Sequence, residues 1–203
     1  MEKLTEEAPN ALTNDEIRNA EVFFINEIDT MIVYLYPNDM NNLCPYIRDW
    51  DKDKLLSLVD FSDKVVLDIG SGTGRLAFAA ATKAKKVYAS EPADRMREFM
   101  RDKIATEKIS NVVVLDGTIE SITFEDSTFD IVMSGYVLGL DYAHEVANME
   151  RVCKNGGYII VCEGENETEW HLREPLLSLG FKHLHYLSKL GGDCYRYWKK
   201  VNK

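Results

Sequence analysis

Val65 to Phe78 reads VVLDIGSGTGRLAF: a β-branched run closes on an acid, Asp68, and then on three alternate glycines, Gly70, Gly72 and Gly74. Glycines so spaced let the main chain turn sharply and approach a ligand closely, because none carries a Cβ. Three kinds of ligand use such a turn. A dinucleotide fingerprint, G-x-G-x-x-G, needs its third glycine for close helix-to-strand packing, and here Arg75 stands in that place. A triphosphate loop needs G-K-[S/T] after a four-residue spacer, so that a lysine and a hydroxyl reach phosphate and magnesium. Neither is present, which leaves a ligand that offers the turn no phosphate.

Metal chemistry has little to work with. His183 and His185 fall on one face of a predicted strand and no third ligand accompanies them. Cys44, Cys153, Cys162 and Cys194 are scattered without C-x-x-C spacing, so no zinc site or disulfide framework is expected and they read as free thiols. No metal is predicted.

The elements around the turn are read from periodicity. KVVLDIG, KKVYASE, NVVVLDG, FDIVMSGYV and GGYIIVCEG are predicted strands; GRLAFAAATKA, ADRMREFMRDKIATEK and DYAHEVANMERVCK are predicted helices. Strands alternating with helices demand a parallel sheet covered on both faces. A helix over 168–179 follows, and then FKHLHYLSKL and CYRYWKKV flank Gly191, Gly192 and Asp193 as an antiparallel hairpin. On the N-terminal side, residues 14–33 carry apolar residues at helical spacing behind Thr13 and Asn14 as caps. YLYPNDMNNLCPYIRDWD then reads as an irregular, partly apolar loop, and a short helix is expected near 52–60.

A chain of 203 residues with 45% hydrophobic and 29% charged residues is large enough to bury one core. Lys and Arg number 24 against 34 Asp and Glu, a net charge of −10 that repels nucleic-acid backbones. No apolar run reaches the length of a membrane span, and the acidic opening MEKLTEEAPN is unlike a signal peptide. A cytoplasmic protein without DNA or membrane partners is expected, and a homodimer is allowed.

Four segments in order resemble class I (Rossmann-like) S-adenosylmethionine-dependent methyltransferases, in particular the type 11-like domain. VLDIGSGTGRLA is similar to that family's first motif, an acid followed by G-x-G-x-G. VYASEP resembles its second, with Glu91 about twenty residues beyond the glycines. TFEDSTFDIVMSGYVL resembles the segment leading to its fourth strand, and MERVCKNGGYIIV the turn into its fifth. The resemblance covers about residues 51–203 and implies a three-layer αβα sandwich, with a seven-stranded, mostly parallel sheet and an antiparallel last strand, beneath an N-terminal helical cap. The expected division is 1–50 as helix and cap, 51–203 as the S-adenosylmethionine-binding domain.

The resemblance also implies roles. Gly70, Ser71, Gly72 and Gly74 would let the chain approach the methionyl part of S-adenosylmethionine, with Asp68 accepting from its ammonium. Glu91, followed by Pro92, would accept both ribose hydroxyls. Gly117, Thr118, Ile119 and Glu120 would border the adenine, although the family's usual Asp is here Thr118, so that Asp116 and Glu120 both stay open as readers of the exocyclic amine. Ser134 closes the cofactor set.

Methyl transfer needs alignment and exclusion of water more than acid–base chemistry. The acceptor, a small molecule, would enter beside Ser134, Gly135, Tyr136 and Val137, with Tyr34, Tyr36, Tyr46 and Trp50 of the cap either lining a pocket or joining cap to core. Asp141 and His144, with Tyr136, are the general-base candidates; Asp141 equally reads as an N-cap and His144 as a first-turn residue. The alternatives are methylation of a protein or RNA, or a binding protein that keeps the nucleoside pocket without turnover. SGYVLG in place of an N-P-P-[Y/F/W] tetrad disfavours amino-methylation of nucleic acid and glutamine.

Overall fold

The computed structural model describes residues 13–32, 35–139, 141–162, 172–189 and 191–203. Its centre is β1 (Val65–Ile69), whose burial alternates between two faces: Val66 joins one apolar cluster, Leu67 and Ile69 the other, and all three are at most 1% exposed. That two-sided burial explains why the strand reads as a continuous apolar run.

Parallel to β1 lie β2 (Lys86–Ser90) on one side and β4 (Phe129–Ser134) on the other. Beyond β2 comes β3 (Val112–Leu115), and beyond β4 comes β5 (Cys153–Cys162), both parallel. The hairpin β6 (Lys182–Leu187) and β7 (Asp193–Lys200) completes a seven-stranded sheet in the order β3-β2-β1-β4-β5-β7-β6, with β7 antiparallel to both of its neighbours. Fold class and strand count agree with the sequence reading.

Helices cover both faces. Leu55 of α4 (Asp53–Leu56), Leu76 and Ala80 of α5 (Arg75–Ala81), and Met100 of α6 (Asp94–Glu107) fill one cluster. Val146 and Met149 of α7 (Tyr142–Val152) and Leu176 of α8 (Glu174–Ser178) fill the other. A carboxylate pins the start of the sheet: Asp130 on β4 accepts from the Val65 amide (2.9 Å) and pairs with Lys154 (2.8 Å).

The N-terminal region departs from expectation in two ways. Residues read as an irregular loop form two short helices, α2 (Pro37–Leu43) and α3 (Pro45–Arg48). Each opens on a proline, whose fixed φ and missing N–H suit a first helical position; the same residues that suggested a loop start helices here. The other departure concerns α1 (Asn14–Ile32), which begins with a capping box: the Glu16 amide donates to Thr13 Oγ1 (3.3 Å) and the Thr13 amide to Glu16 Oε2 (2.7 Å). Its described apolar side chains do not pack into the core, since Ile17, Val22 and Phe23 are 43%, 42% and 64% exposed. The predicted helix near 52–60 shrinks to the single turn of α4. Among the described residues no helix is long and apolar enough to cross a membrane.

Candidate active site

The strand order reverses direction at β1, with β2 and β3 running to one side and β4 and β5 to the other, so the carboxyl ends of β1 and β4 open a crevice. The loop leaving β1 turns through Gly70, Gly72 and Gly74 at φ of 64°, 55° and 86°, left-handed backbone that other residues enter only under strain. Local bonds hold it: the Ser71 amide donates to Ser90 O (3.0 Å), the Ser71 hydroxyl to Asp68 O (2.9 Å), and the Gly74 amide to Ser71 O (2.8 Å).

A cavity of about 650 Å³ lies over this loop, within the size range of small-molecule sites. Asp68, Gly70, Ser71 and Gly72 form its floor. Glu91 and Pro92, after β2, wall one part; Thr118, Ile119 and Glu120, after β3, wall another. Tyr136 and Val137, after β4, line it too, and Met40 of α2 and Ile47 of α3 reach it from the N-terminal region.

Two carboxylates dominate its chemistry. Glu91 is 4% exposed, and each of its oxygens takes a main-chain amide: Gly72 N donates to Oε2 (2.8 Å), Ala93 N to Oε1 (2.9 Å). It thus fixes the glycine loop against the end of β2 and keeps lone pairs for further donors. Asp68 is 1% exposed, and neither of its side-chain oxygens has a hydrogen-bond partner among the described residues. Burial pushes its pKa up to about 7, with the nearby Ser71 hydroxyl and the Arg75 guanidinium opposing. An orphaned buried carboxyl is costly to a fold unless a donor meets it, and here it faces a ligand-sized space.

Several sequence-predicted residues lie elsewhere. Gly74 caps α5, where a Cβ would run into the Phe78 ring at 2.3 Å. Gly117 packs behind the wall, its carbonyl accepting from Ser90 Oγ (3.1 Å), and Ser134 is wholly buried in β4; none of the three lines the cavity. Asp116 is turned outward to pair with Arg97 (3.1 Å) and is 73% exposed at its side chain, so of the two acids left open only Glu120 lines the cavity.

The cap aromatics are also placed differently. Trp50 lies outside the cavity lining, its ring stacked against Arg75 with the guanidinium carbon 4.7 Å from the centroid, and it packs on the core beneath α5. Its role there is the joint between cap and core. Tyr36 is 55% exposed at the N-cap of α2. Tyr34 and the Tyr46 side chain lie outside the described residues. Asp141 caps α7 by accepting from the His144 amide (3.1 Å), and exposed His144 reaches Asn148 (3.4 Å); neither lines the cavity. Only Tyr136 of the general-base candidates does, held at φ 60°, a strained setting for a side chain of its size.

Met40, Ile47 and Arg75 escaped the sequence reading as site residues. Met40 and Ile47 sat in a stretch read as loop, and Arg75 was weighed only as a missing glycine. A further tie, from the Thr73 hydroxyl to Asn41 Oδ1 (2.9 Å), binds α2 directly to the glycine loop. The four cysteines are free, three of them buried, and burial pushes the Cys153 thiol up to about 12.

A model of the methyltransferase domain family matches residues 67–161, which run from β1 through β5. Residues 67–161 are thus similar to a methyltransferase domain. The curated relatives include the ubiquinone/menaquinone biosynthesis C-methyltransferase UbiE of a Marinomonas species, 32% identical over 141 residues that make up 65% of this chain and 56% of that protein. The demethylmenaquinone methyltransferase of Shouchella clausii is 29% identical over 126 residues, 60% of this chain and 54% of that one. The chain therefore spans a little over half the length of these relatives. Among solved structures, an S-adenosylmethionine-dependent methyltransferase from Aquifex aeolicus superposes at a TM-score of 0.64 with 17% identity, over 81% of this chain and 98% of that one. A methyltransferase from Thermotoga maritima, described as a possible histamine N-methyltransferase, gives 0.65 with 19% identity, over 84% and 99%. Both superpositions cover more of the chain than residues 67–161.

Proposed function

We propose that the protein binds S-adenosylmethionine in the cavity above the glycine loop and directs its methyl group to a small molecule held under α2 and α3. The observation that carries this reading is the pairing of Asp68, buried without a donor, with Glu91, fixed on the loop amides, at one cavity floored by Gly70 and Gly72.

The residues fit that cofactor in kind. An ammonium group would supply the donors that Asp68 lacks. Glu91 keeps acceptor capacity for a ribose diol while bonded to two amides. Ile119, 3% exposed, offers an apolar surface to an adenine ring, and Glu120 beside it offers an acceptor. When bound, S-adenosylmethionine supplies an electrophilic methyl on a sulfonium sulfur. The chain's own part is to hold two reactants in line and keep water away, which is where most of the rate gain of such a displacement arises.

On the acceptor side, Tyr136, Val137, Met40 and Ile47 give walls that suit a flat, partly apolar molecule. The relatives named for ubiquinone, menaquinone and demethylmenaquinone support a quinone-type ring compound as the acceptor class. We take residues 1–50 as its cover and 51–203 as the cofactor-binding unit, and infer a cytoplasmic setting.

Isothermal titration with S-adenosylmethionine and S-adenosylhomocysteine, with NADH as control, tests the reading. Binding of both sulfur nucleosides in the micromolar range, lost in Asp68→Asn and Glu91→Ala, is the expected result. Preference for NADH, or no binding at all, overturns it.

A further inference from the structure

Arg75 opens α5 at the place where a dinucleotide loop has glycine and is one of the residues lining the cavity; its Nη1, a buried atom, has no acceptor among the described residues. The group is built in from several sides. The Trp50 ring stacks on it at 4.7 Å. A Cβ on Gly135 would come within 3.1 Å of Nη2 and 2.7 Å of Cys162 O, so glycine at 135 leaves the space the guanidinium occupies. Stacking on an aromatic face fixes a guanidinium plane in advance, which lowers the entropy lost when it later binds.

Its electrostatic surroundings are unfavourable. Burial lowers the pKa of Arg75 from its usual range, and the charge of Arg196, which is wholly buried, lowers it further. Asp68 is close enough for its charge to act on Arg75, yet neither Asp68 oxygen hydrogen-bonds to it. Guanidinium is never neutral in proteins, and a buried N–H of a cation left without an acceptor is costly. The wall thus carries a fixed, oriented donor that is complete only when an anion enters.

Such an anion has two sources: the carboxylate of the nucleoside's amino-acid tail, and an anionic oxygen on the molecule to be methylated. Asp68, the partner proposed for the tail's ammonium, lies near Arg75 as well, but the neighbours after β4 favour the second. Arg75 lies against Gly135 and near Tyr136, while Glu91 and Pro92 follow β2 on the other side of β1. The other walls there, Met40, Ile47 and Val137, are apolar.

We propose that Arg75 is a specificity-determining residue of the acceptor site, with Nη1 receiving an anionic oxygen, a carboxylate or an ionised ring hydroxyl, of a small apolar acceptor. The word acceptor rests on the methyl-transfer reading above; the anion site itself does not. The full chain is titrated with 2-naphthoate and with neutral 2-naphthamide, both with and without saturating S-adenosylhomocysteine, in wild type, Arg75→Met and Arg75→Lys. Wild type is expected to bind the anion about tenfold tighter than the amide, the worth of one charge-assisted hydrogen bond. Arg75→Met should lose that preference; Arg75→Lys, which keeps the charge without the planar fork, should lose part of it. Equal binding of the two probes by wild type, or a preference that survives in Arg75→Met, overturns the proposal. If Arg75→Met does not fold, a preference undiminished in Arg75→Lys overturns it equally.

A parallel titration with S-adenosylhomocysteine and 5′-methylthioadenosine, which lacks the amino-acid tail, separates the two sources. Arg75→Met should weaken both alike and by less than about threefold. A loss of about tenfold confined to S-adenosylhomocysteine would move Arg75 to the cofactor's carboxylate and overturn the assignment. Should wild type bind neither nucleoside, the methyl-transfer reading falls, and the naphthoate titration of the unloaded protein still decides the anion site.

Discussion

The Gly72 amide donates to Glu91 Oε2 at 2.8 Å, across nineteen residues of chain, while the same carboxylate takes the Ala93 amide on its other oxygen at 2.9 Å. A single side chain therefore sets the distance between the loop after β1 and the loop after β2, two of the segments that line the cavity. Its geometry is fixed by the protein's own hydrogen bonds, which is the form preorganisation takes when the groups being positioned are backbone amides.

Glu91→Gln is predicted to damage both folding and binding. The amide keeps one acceptor oxygen but turns an NH2 group toward a backbone N–H. A loss of about 2 kcal/mol in denaturant unfolding is expected for a buried charged acceptor, with nucleoside affinity falling about tenfold or more. Urea titration and calorimetry of the same preparations check it. Unchanged affinity would show that Glu91 serves only the loop.

Asp68 gives a prediction about pH. Burial raises its folded pKa to about 7, above the unfolded value near 4. The folded state thus holds a proton that the unfolded chain releases, so the stability this group contributes is complete below about pH 4 and is lost as pH rises through about 7. Between pH 5.5 and 7.5 the ligand-free wild type should lose about 2 kcal/mol relative to Asp68→Asn, at 1.36 kcal/mol per unit. Comparison with the variant subtracts histidine titration. An ammonium ligand needs the ionised carboxylate, so S-adenosylhomocysteine binding below pH 7 should release a proton and weaken about tenfold per unit. Calorimetry in two buffers of different ionisation enthalpy reads this directly.

How far the site was legible follows from what each residue signals. Asp68, Gly70, Gly72 and Glu91 are local: an acid and glycines on a strand-to-helix turn state their backbone needs in their types. The alternation of strands and helices stated the sheet in the same way. Trp50 was not legible, because an aromatic near a site reads the same whether it faces ligand or stacks on an arginine; only the 4.7 Å approach of Arg75 distinguishes them. Nor were Met40 and Ile47, since Pro37 and Pro45 read as breakers until the chain shows them opening helices. Asp116 and Glu120 were interchangeable in the sequence, and Arg97, nineteen residues from Asp116, separates them by drawing Asp116 outward.

The bond from Thr73 to Asn41 leads to a kinetic expectation. It joins α2, which carries Met40 to the cavity, to the loop that floors it. Asn41→Ala should cost folding less than about 1 kcal/mol, as one partly buried neutral hydrogen bond. The same change should speed S-adenosylhomocysteine dissociation about fivefold by loosening the cover, the usual effect of weakening a closing element. Stopped-flow displacement measures the rate; an unchanged rate means α2 does not hold the ligand in.

Gly70 and Gly72 share a left-handed backbone, with φ of 64° and 55°, yet a Cβ would meet different surroundings at each. At Gly70 it would come 2.3 Å from Val137 Cγ2; at Gly72 it would meet nothing within 4 Å. Gly70→Ala should therefore cost the backbone strain of about 1–2 kcal/mol and an overpacking cost of about 1–3 kcal/mol. Adding Val137→Ala should recover the second and leave the first, giving a coupling of about 1 kcal/mol or more in a double-mutant cycle. Gly72→Ala should cost the strain alone and still fold, while lowering nucleoside affinity about tenfold, because the open space at Gly72 belongs to the cavity that the ligand fills. Unfolding free energies together with affinities for the three variants check the contrast. Equal affinity for wild type and Gly72→Ala would mean that the ligand does not approach the loop at that point.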